Sequence, residues 1–296
     1  MKSLVTGGCG FIGSRLVEKL IKNKDGVIVI DNNSSNSDNN FIVDGAKYYN
    51  TDLNDFEKIL PLFKGVDRVF HLAADVSIDF CNKNPRTSGI NNSNITLNTL
   101  ECCRLHNVKK YVFSSTSAVY LNKQEKTAYK ETDETEPLNL YSASKLFGEN
   151  LCKIYYNLYE VETVILRYFN VFGPSMNISP YSSVIVNFLN SKKYKKPLSI
   201  HGTGEQTRDF VFIDDVVSAN ILASQTQLKK YGSIFNVGTG KSLTINKLSK
   251  IISKERVFLN PRKADIKHSL SSIKKIKKEL NWKPTITIES WLKQNN

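Results

Sequence analysis

Along the first 172 residues, short apolar, β-branched runs alternate with stretches whose apolar residues recur at helical spacing. Residues 3–5 and Val27 to Ile30 read as strands and Phe11 to Ile21 as the helix between them, which makes a βαβ unit. The alternation continues with strands at Tyr48–Tyr49, Val69 to Ala74, Tyr111 to Phe113 and Val164 to Leu166. The helices between them are predicted near Phe56 to Phe63, Thr96 to His106 and Tyr141 to Tyr159. Strands that are continuously apolar are buried on both faces, so the pattern predicts a parallel sheet covered by helices on either side, an α/β fold. Gly173-Pro174 interrupts it, and the stretch to Glu205 is rich in Ser, Asn, Lys and Pro, where a smaller second lobe is expected to begin. A strand at Phe210 to Ile213, a helix from Asp214–Asp215, a strand at Ile234 to Val237, and helical segments at Ile245 to Ile252 and Leu270 to Leu280 complete the reading. The expected division is 1–172 with 209–238 as one domain, and 173–208 with 239–296 as the other.

Composition narrows this picture. A chain of 296 residues, 40% of them hydrophobic, is too long and too apolar for a disulfide-held miniprotein or a disordered chain, at ~150 residues per domain. No apolar run reaches the ~20 residues of a spanning helix, and MKSLVTGGCGFIGS lacks the unbroken apolar core of a signal peptide. Five cysteines, at 9, 81, 102, 103 and 152, form no CxxC pair, which fits reduced thiols in a cytoplasm. The charge sum of 41 basic against 28 acidic residues, net +13, raises the question of an anionic partner: nucleic acid, a membrane surface or a phosphorylated metabolite.

The candidate chemistry answers in favour of the last. Gly8, Gly10 and Gly13 satisfy Gly-x-Gly-x-x-Gly, and Gly7, Gly10 and Gly13 satisfy Gly-x-x-Gly-x-x-Gly, after a strand and at the start of a helix. There one glycine makes the turn, one lets backbone approach a pyrophosphate and one lets helix pack on strand, with the positive end of the helix dipole facing the ligand. Asp31 ends the second strand eighteen residues after Gly13. A carboxylate there accepts hydrogen bonds from an adenosine ribose and repels a ribose phosphate, so NAD is favoured over NADP. The alternative for Asp31 is a turn residue helped by Asn32 and Asn33. Further on, Tyr141 and Lys145 stand at i and i+4, on one helix face, where an ammonium can stabilise a phenolate.

Taken together these segments resemble the extended short-chain dehydrogenase/reductase family, in particular its nucleotide-sugar epimerases and dehydratases. The likeness runs nearly end to end through TGGCGFIGS (6–14), VIVIDNNSS (27–35), TDLND (51–55), HLAAD (71–75), FSSTSAVY (113–120), YSASKLFGE (141–149), RYFNVFGP (167–174), GTGEQTRDFVFIDDVV (202–217) and PRKADIKHS (261–269). The resemblance implies a Rossmann-type doubly wound parallel sheet with a smaller C-terminal substrate-binding lobe. It implies NAD held by Gly7, Gly10, Phe11, Ile12, Gly13, Asp31, Asn32, Asp52, Leu53, Leu72, Ala73, Ala74, Asn92, Ser114, Tyr141, Lys145 and Tyr168. Tyr141 would take a proton from a sugar hydroxyl as NAD takes the hydride, Lys145 would hold the nicotinamide ribose and tune the phenol, and Thr116 would hydrogen-bond the same hydroxyl. Asn170, Arg208, Arg262 and Asp265 would hold the nucleotide diphosphate, with His201 stacking on the base. No metal is implied, and family members often pair through two helices each, so a homodimer is expected.

Within that family the reaction is read from an absence. Related 4,6-dehydratases resemble this chain but carry an acidic pair after the threonine, where Ser117 and Ala118 stand here, and related decarboxylases keep a Glu at the second position. Neither residue can act as a carboxylate acid or base. The expectation is therefore 4-epimerisation of a UDP-hexose through a 4-keto sugar. Ser269 stands where glucose-restricted members carry a bulky Tyr, which leaves room for an N-acetyl group and brings UDP-N-acetylglucosamine into range beside UDP-glucose; alternatively, Ser269 starts the helix before Leu270. The competing readings are a dehydratase, a reductase or a UDP-glucuronate epimerase of the same family, and a non-catalytic dinucleotide-binding regulatory or RNA-binding protein. The last has no use for Tyr141 and Lys145. Departures from the family pattern are Ile95, Leu121 and Ala264 where glycine is usual, and Cys9 where alanine is common. Lys274, Lys275, Lys277 and Lys278 read as a solvated helix face, and neither nucleic acid nor membrane is expected as a partner.

Overall fold

In the computed structural model, which describes residues 1–34, 41–174, 176, 183–261 and 266–295, the βαβ opening is β1 (Lys2–Thr6), α1 (Phe11–Lys22) and β2 (Gly26–Asp31). β1 and β2 are parallel, with Lys2 beside Gly26 and Thr6 beside Ile30. Leu4, Val5, Val29 and Ile30 are wholly buried, so these strands are covered on both faces. The later strands are β3 (Ala46–Asn50), β4 (Arg68–His71), β5 (Lys110–Thr116), β6 (Glu162–Tyr168), β7 (Asn170–Phe172), β8 (Leu198–His201), β9 (Thr207–Arg208), β10 (Phe210–Phe212), β11 (Ser233–Val237), β12 (Leu243–Thr244) and β13 (Arg256–Leu259). The helices after α1 are α2 (Phe56–Ile59), α3 (Ile78–Lys83), α4 (Pro85–Leu105), α5 (Leu140–Tyr159), α6 (Val184–Lys193), α7 (Ile213–Gln225), α8 (Ile245–Ile252), α9 (Lys274–Leu280) and α10 (Ile288–Asn295).

Seven strands form one sheet in the order β11-β6-β5-β4-β1-β2-β3, with the run from β5 through β4, β1 and β2 to β3 parallel throughout. The chain winds outward from β1 in one direction to β3, then returns to β4 on its other side. That reversal opens a crevice at the carboxyl ends of β1 and β4, the usual ligand position in such sheets.

Several elements differ from expectation. The helix at Phe56 to Phe63 is α for one turn and then a 3-10 turn over Leu60–Phe63, because Pro61 has no N–H to continue the α ladder. α4 starts at Pro85, eleven residues before the expected Thr96. The helix expected from Leu270 starts at Lys274. Residues 270–272 are extended instead: Leu270 O accepts the Tyr129 amide at 2.8 Å and the Ser272 amide donates to Tyr129 O at 2.8 Å. Ser269 therefore caps no helix. α3, α6, α10, β8 and β13 were not anticipated.

The chain divides into two compact units: Met1–Val119, Pro137–Arg167 and Val217–Phe235 form the first, and Tyr120–Glu136, Tyr168–Val216 and Asn236–Asn296 the second. This departs from the expected boundaries, since residues 120–136, 168–172, 209–216 and 236–238 fall in the second unit. In the first, the buried Arg68 guanidinium reaches Asp25 at 2.5 Å, Ser3 Oγ at 2.9 Å and Ser224 Oγ at 2.7 Å. In the second, Asp215 accepts both the amide (2.9 Å) and the hydroxyl (2.6 Å) of Thr285, while its carbonyl accepts the Trp282 indole N–H at 2.9 Å. Tyr120 stacks on Tyr129 at 4.7 Å and donates its hydroxyl to Asn236 at 2.7 Å. Among the described residues no helix is long and apolar enough to cross a membrane.

Candidate active site

The glycine loop joins β1 to α1 in the first unit. Gly7 has φ +70°, and a Cβ there would lie 2.7 Å from the Ala73 amide nitrogen. A Cβ at Gly13 would lie 2.1 Å from Gly7 O. Gly10 is the N-cap of α1 in extended conformation, with no side chain capping the helix. The first amides of a helix have no intrahelical acceptor, so those of Phe11, Ile12 and Gly13 are suited to an anion. The glycines create a cradle that a methyl group at Gly7 or Gly13 would fill.

Asp31, at the end of β2, ties this cradle to the strand. Its Oδ2 accepts the Cys9 amide at 2.9 Å and its Oδ1 the Asn33 amide at 2.9 Å. Both readings of Asp31 thus have a place: it is a turn residue, and each oxygen keeps a lone pair for a ribose hydroxyl. Asn32 donates to Asp52 at 3.3 Å, and Asp52 accepts the Asn54 amide at 2.8 Å; Leu53 is buried beside them. The neighbouring Cys9 is buried, and burial with the Asp31 charge pushes its thiol up to about 11, so it is an inert filler.

Past β4 the chain runs along the same crevice. The Leu72 amide donates to Thr6 O at 3.2 Å and the Ala73 amide to Thr6 Oγ1 at 3.3 Å, followed by Ala74. His71, wholly buried, bridges Thr6 Oγ1 (2.8 Å) and Thr96 Oγ1 (3.2 Å). Burial, aided by the Lys145 charge, holds its imidazole well below the ordinary range, so it is neutral. Asn92 on α4 accepts the Asp75 amide at 2.7 Å and donates to Ser144 Oγ at 3.1 Å, fixing α4 against α5. His71 and Asp75 were not singled out from the sequence, although both stand in the HLAAD segment.

α5 begins with a capping box in which Asn139 Oδ1 accepts the Ser142 amide at 2.9 Å and Ser142 Oγ meets the Asn139 amide at 3.4 Å. This sets the start of the helix directly before Tyr141. Gly148 lets α5 approach β5: a Cβ there would lie 2.4 Å from the Phe113 ring. One turn earlier, Lys145 Nζ sits 5.0 Å from the centroid of that ring. Lys145 is 4% exposed, and burial pushes its ammonium down to about 8. Ser114 is buried near the end of β5; Thr116 ends the strand, and its hydroxyl accepts the Ala118 amide at 3.1 Å. Thr116, Tyr141 and Lys145 all belong to the first unit.

Of the other residues expected on the sugar nucleotide, Asn170, His201, Arg208 and Ser269 lie in the second unit, as does Tyr168. Asn170 pairs with Phe210 in the β7–β10 register, and its amide donates to Asp209 O at 3.0 Å. Arg208 Nη1 donates to Ile266 O (2.6 Å) and Thr207 O (2.9 Å). His201 Nδ1 lies 3.1 Å from Asn260 O. Ser269 is buried, donates its amide to Thr207 O at 3.2 Å, and has no partner for its hydroxyl among the described residues. Arg262 and Asp265 lie outside the described residues. Sequence reasoning missed Asp209, a wholly buried carboxylate. Its Oδ1 accepts Thr239 N (2.8 Å) and Oγ1 (2.6 Å), and its Oδ2 accepts Gly240 N (3.1 Å), Ser271 N (3.0 Å) and Ser271 Oγ (2.6 Å). Its place beside an arginine in TRDF was the available signal.

Comparison with known proteins identifies the family of the chain. The profile of the NAD dependent epimerase/dehydratase family matches residues 3–238. A UDP-glucose 4-epimerase from Thermotoga maritima, solved with UDP-glucose, is similar at 35% identity and TM-score 0.94, over 99% of this chain and 96% of that one. A UDP-N-acetylglucosamine 4-epimerase from Methanobrevibacter ruminantium, solved with UDP-N-acetylmuramic acid, is similar at 37% and 0.90, over 99% and 96%. A UDP-glucuronate 4-epimerase from Thermodesulfobacterium geofontis is 34% identical over 98% of this chain and 94% of its own. With a glycine cradle, an aspartate ending β2 and a Tyr–Lys helix in this order, the chain belongs to the NAD-dependent epimerase/dehydratase family of extended short-chain dehydrogenases/reductases, and is an NAD-dependent enzyme of that family.

Proposed function

We propose that the protein interconverts the C4 epimers of a UDP-hexose, UDP-glucose and UDP-N-acetylglucosamine with their galacto counterparts, as a cytoplasmic homodimer. The observation that carries this reading is the buried Lys145, one turn after Tyr141 on α5, in the same unit as a glycine cradle that suits a dinucleotide. Gly7, Gly10, Phe11, Ile12 and Gly13 bind the pyrophosphate, Asp31 with Asn32 takes the adenosine ribose, and the Asp52–Leu53 and Leu72–Ala74 segments, Asn92, Ser114 and Tyr168 line the remainder. Held there, NAD would supply a hydride acceptor and donor for the sugar C4. Tyr141 Oη removes the proton of the C4 hydroxyl and later gives it back. A phenol with an ordinary pKa near 10 is a weak base at neutral pH; the Lys145 ammonium, in surroundings of low dielectric, stabilises its phenolate. Thr116 Oγ1 orients the same hydroxyl. Asn170, Arg208, Arg262 and Asp265 bind the diphosphate end and His201 the base, which leaves the sugar ring free to turn between the two hydride transfers.

Ser117 and Ala118 supply no carboxylate for elimination, which favours epimerisation over dehydration. The small, buried Ser269, whose hydroxyl has no partner among the described residues, supports the wider sugar range. The relative named as a UDP-glucuronate epimerase favours a second reading, with a uronic acid as substrate. Exposed Ile90 and Leu97 on α4, seven residues apart, and Phe147, Ile154 and Leu158 on α5 form apolar stripes suited to pairing two copies. All five cysteines are free and buried, as in a chain kept under reducing conditions.

The test is to incubate the protein separately with UDP-glucose, UDP-N-acetylglucosamine and UDP-glucuronate and identify products by NMR. Galacto products from the first two with no net NADH support the proposal. Turnover of UDP-glucuronate alone establishes the second reading, and a Tyr141→Phe protein with full activity removes Tyr141 from the chemistry.

A further inference from the structure

Glu149 lies one helical turn beyond Lys145 on α5, wholly buried in the first unit. Its Oε1 accepts Ser115 Oγ at 2.6 Å and Arg167 Nε at 2.8 Å, and its Oε2 accepts Arg167 Nη2 at 2.6 Å. Ser115 is 2% exposed and is the chain neighbour of Thr116 on β5; Arg167, also 2% exposed, is near the end of β6. One carboxylate thus joins the helix that carries Tyr141 and Lys145 to the strand that carries Thr116. A third element, β6, neutralises it.

We propose that Glu149 is a positioning residue: with Arg167 and Ser115 it sets the axial register of α5 against the end of β5, and so the placement of Tyr141 and Lys145 relative to Thr116. This rests on the roles given above to those three residues. A buried ion pair adds little stability over a well-packed apolar substitute, whereas its paired, directional hydrogen bonds specify one geometry. Apolar packing of α5 on β5 cannot do this by itself, and the bonds of α5 from Asn92 on α4 and Thr163 on β6 do not reach β5. The Gly148–Phe113 approach sets how near the helix comes to the sheet, but a smooth ring face against a glycine leaves the helix free to slide along its axis. Directed bonds from Glu149 to Ser115 and Arg167 resist such sliding. A shift of about 1 Å suffices to cost a factor of 100 in a reaction that depends on aligned groups.

The experiment uses Ser115→Ala, which keeps the ion pair and removes only its link to β5, with Ser115→Thr as the variant that restores a hydroxyl and Glu149→Gln as the stronger perturbation. Each is assayed on the UDP-hexose the parent turns over, as full kcat and KM profiles from pH 6 to 9. For Ser115→Ala the expectation is a kcat lowered about tenfold with KM within twofold, and recovery to within threefold in Ser115→Thr. In Glu149→Gln, displacement of Lys145 from Tyr141 moves the acidic limb of the kcat profile to higher pH by half a unit or more. Merely lowering the amount of folded enzyme would scale kcat equally at every pH and leave the limb in place, and that result overturns the proposal. So does wild-type kcat in Ser115→Ala. Tyr141→Phe separates the two levels: if it is inactive while Ser115→Ala is unaffected, only the positioning role has failed; if it is fully active, the catalytic assignment beneath has failed.

Discussion

Replacing Lys145 by methionine should make the protein more stable while removing its activity. The side chain is 4% exposed and burial takes its ammonium from 10.5 to about 8, so the folded state disfavours the charged form that the unfolded chain carries freely. At 1.36 kcal/mol per unit, that difference costs about 3 kcal/mol at pH 7, where both states are protonated. The sign follows from linkage: the folded pKa is depressed, so the cost is complete below about pH 8, shrinks as pH rises through the window between 8 and 10.5, and is gone above it. At pH 9.5 the unfolded lysine is still charged and the folded one mostly neutral, leaving roughly 1.4 kcal/mol. Methionine is similar in length and places a polarisable thioether in the space by the Phe113 ring, so the cavity term is small. Urea unfolding of nucleotide-free parent and Lys145→Met proteins at pH 7 and 9.5 measures both gaps, and the epimerase assay records the lost activity. The reasoning is refuted if the variant is no more stable than the parent at pH 7, or if the gap fails to shrink at pH 9.5.

Other outcomes follow from single contacts. Gly148→Ala puts a methyl 2.4 Å from the Phe113 ring; overpacking of about 1–3 kcal/mol exceeds the helix-propensity gain of about 1 kcal/mol, and adding Phe113→Leu should restore stability in urea melts. Because the His71 imidazole is held well below its ordinary 6.5, the unfolded chain takes up a proton that the folded one refuses. Stability from this group is intact above pH 6.5 and falls below it by up to about 1.4 kcal/mol per pH unit; a His71→Gln protein should lack that component between pH 6.5 and 5. Asp209→Asn sets an amide against some of the five donors now aimed at the carboxylate, at a cost of about 3 kcal/mol. Its expected kinetic effect is a raised KM for the sugar nucleotide with unchanged NAD retention, checked by steady-state assays and cofactor titration.

What could be read from the chain was what local spacing encodes. The βαβ opening, the glycine turn and α5 all emerged because their apolar periods and turn residues lie within a few positions of one another. The first half of α4 did not: Pro85 to Asn94 is mostly polar, and its asparagines favour turns over helix. Here tertiary packing and side-chain bonds such as Asn92 to Ser144 override propensity. Residues 270–272 were misread for a related reason, since their partner is Tyr129, far away in sequence. Within the candidate site, Tyr141, Lys145 and Asp31 were legible by spacing, whereas Glu149 and Asp209 owe their importance to partners 18 to 62 residues distant. No local pattern marks a carboxylate as a hub.

The distribution of the cysteines has a practical consequence. All five are buried and free, and positions 9, 81, 102, 103 and 152 all fall in the first unit. A thiol reagent added to the folded protein therefore reports only openings of that unit, and the second unit can loosen without any signal. Comparing thiol labelling with the fluorescence of Trp282 and Trp291, the chain's two tryptophans, both in the second unit, gives two built-in reporters, one for each half. Together they reveal whether the halves unfold as one cooperative body or in sequence.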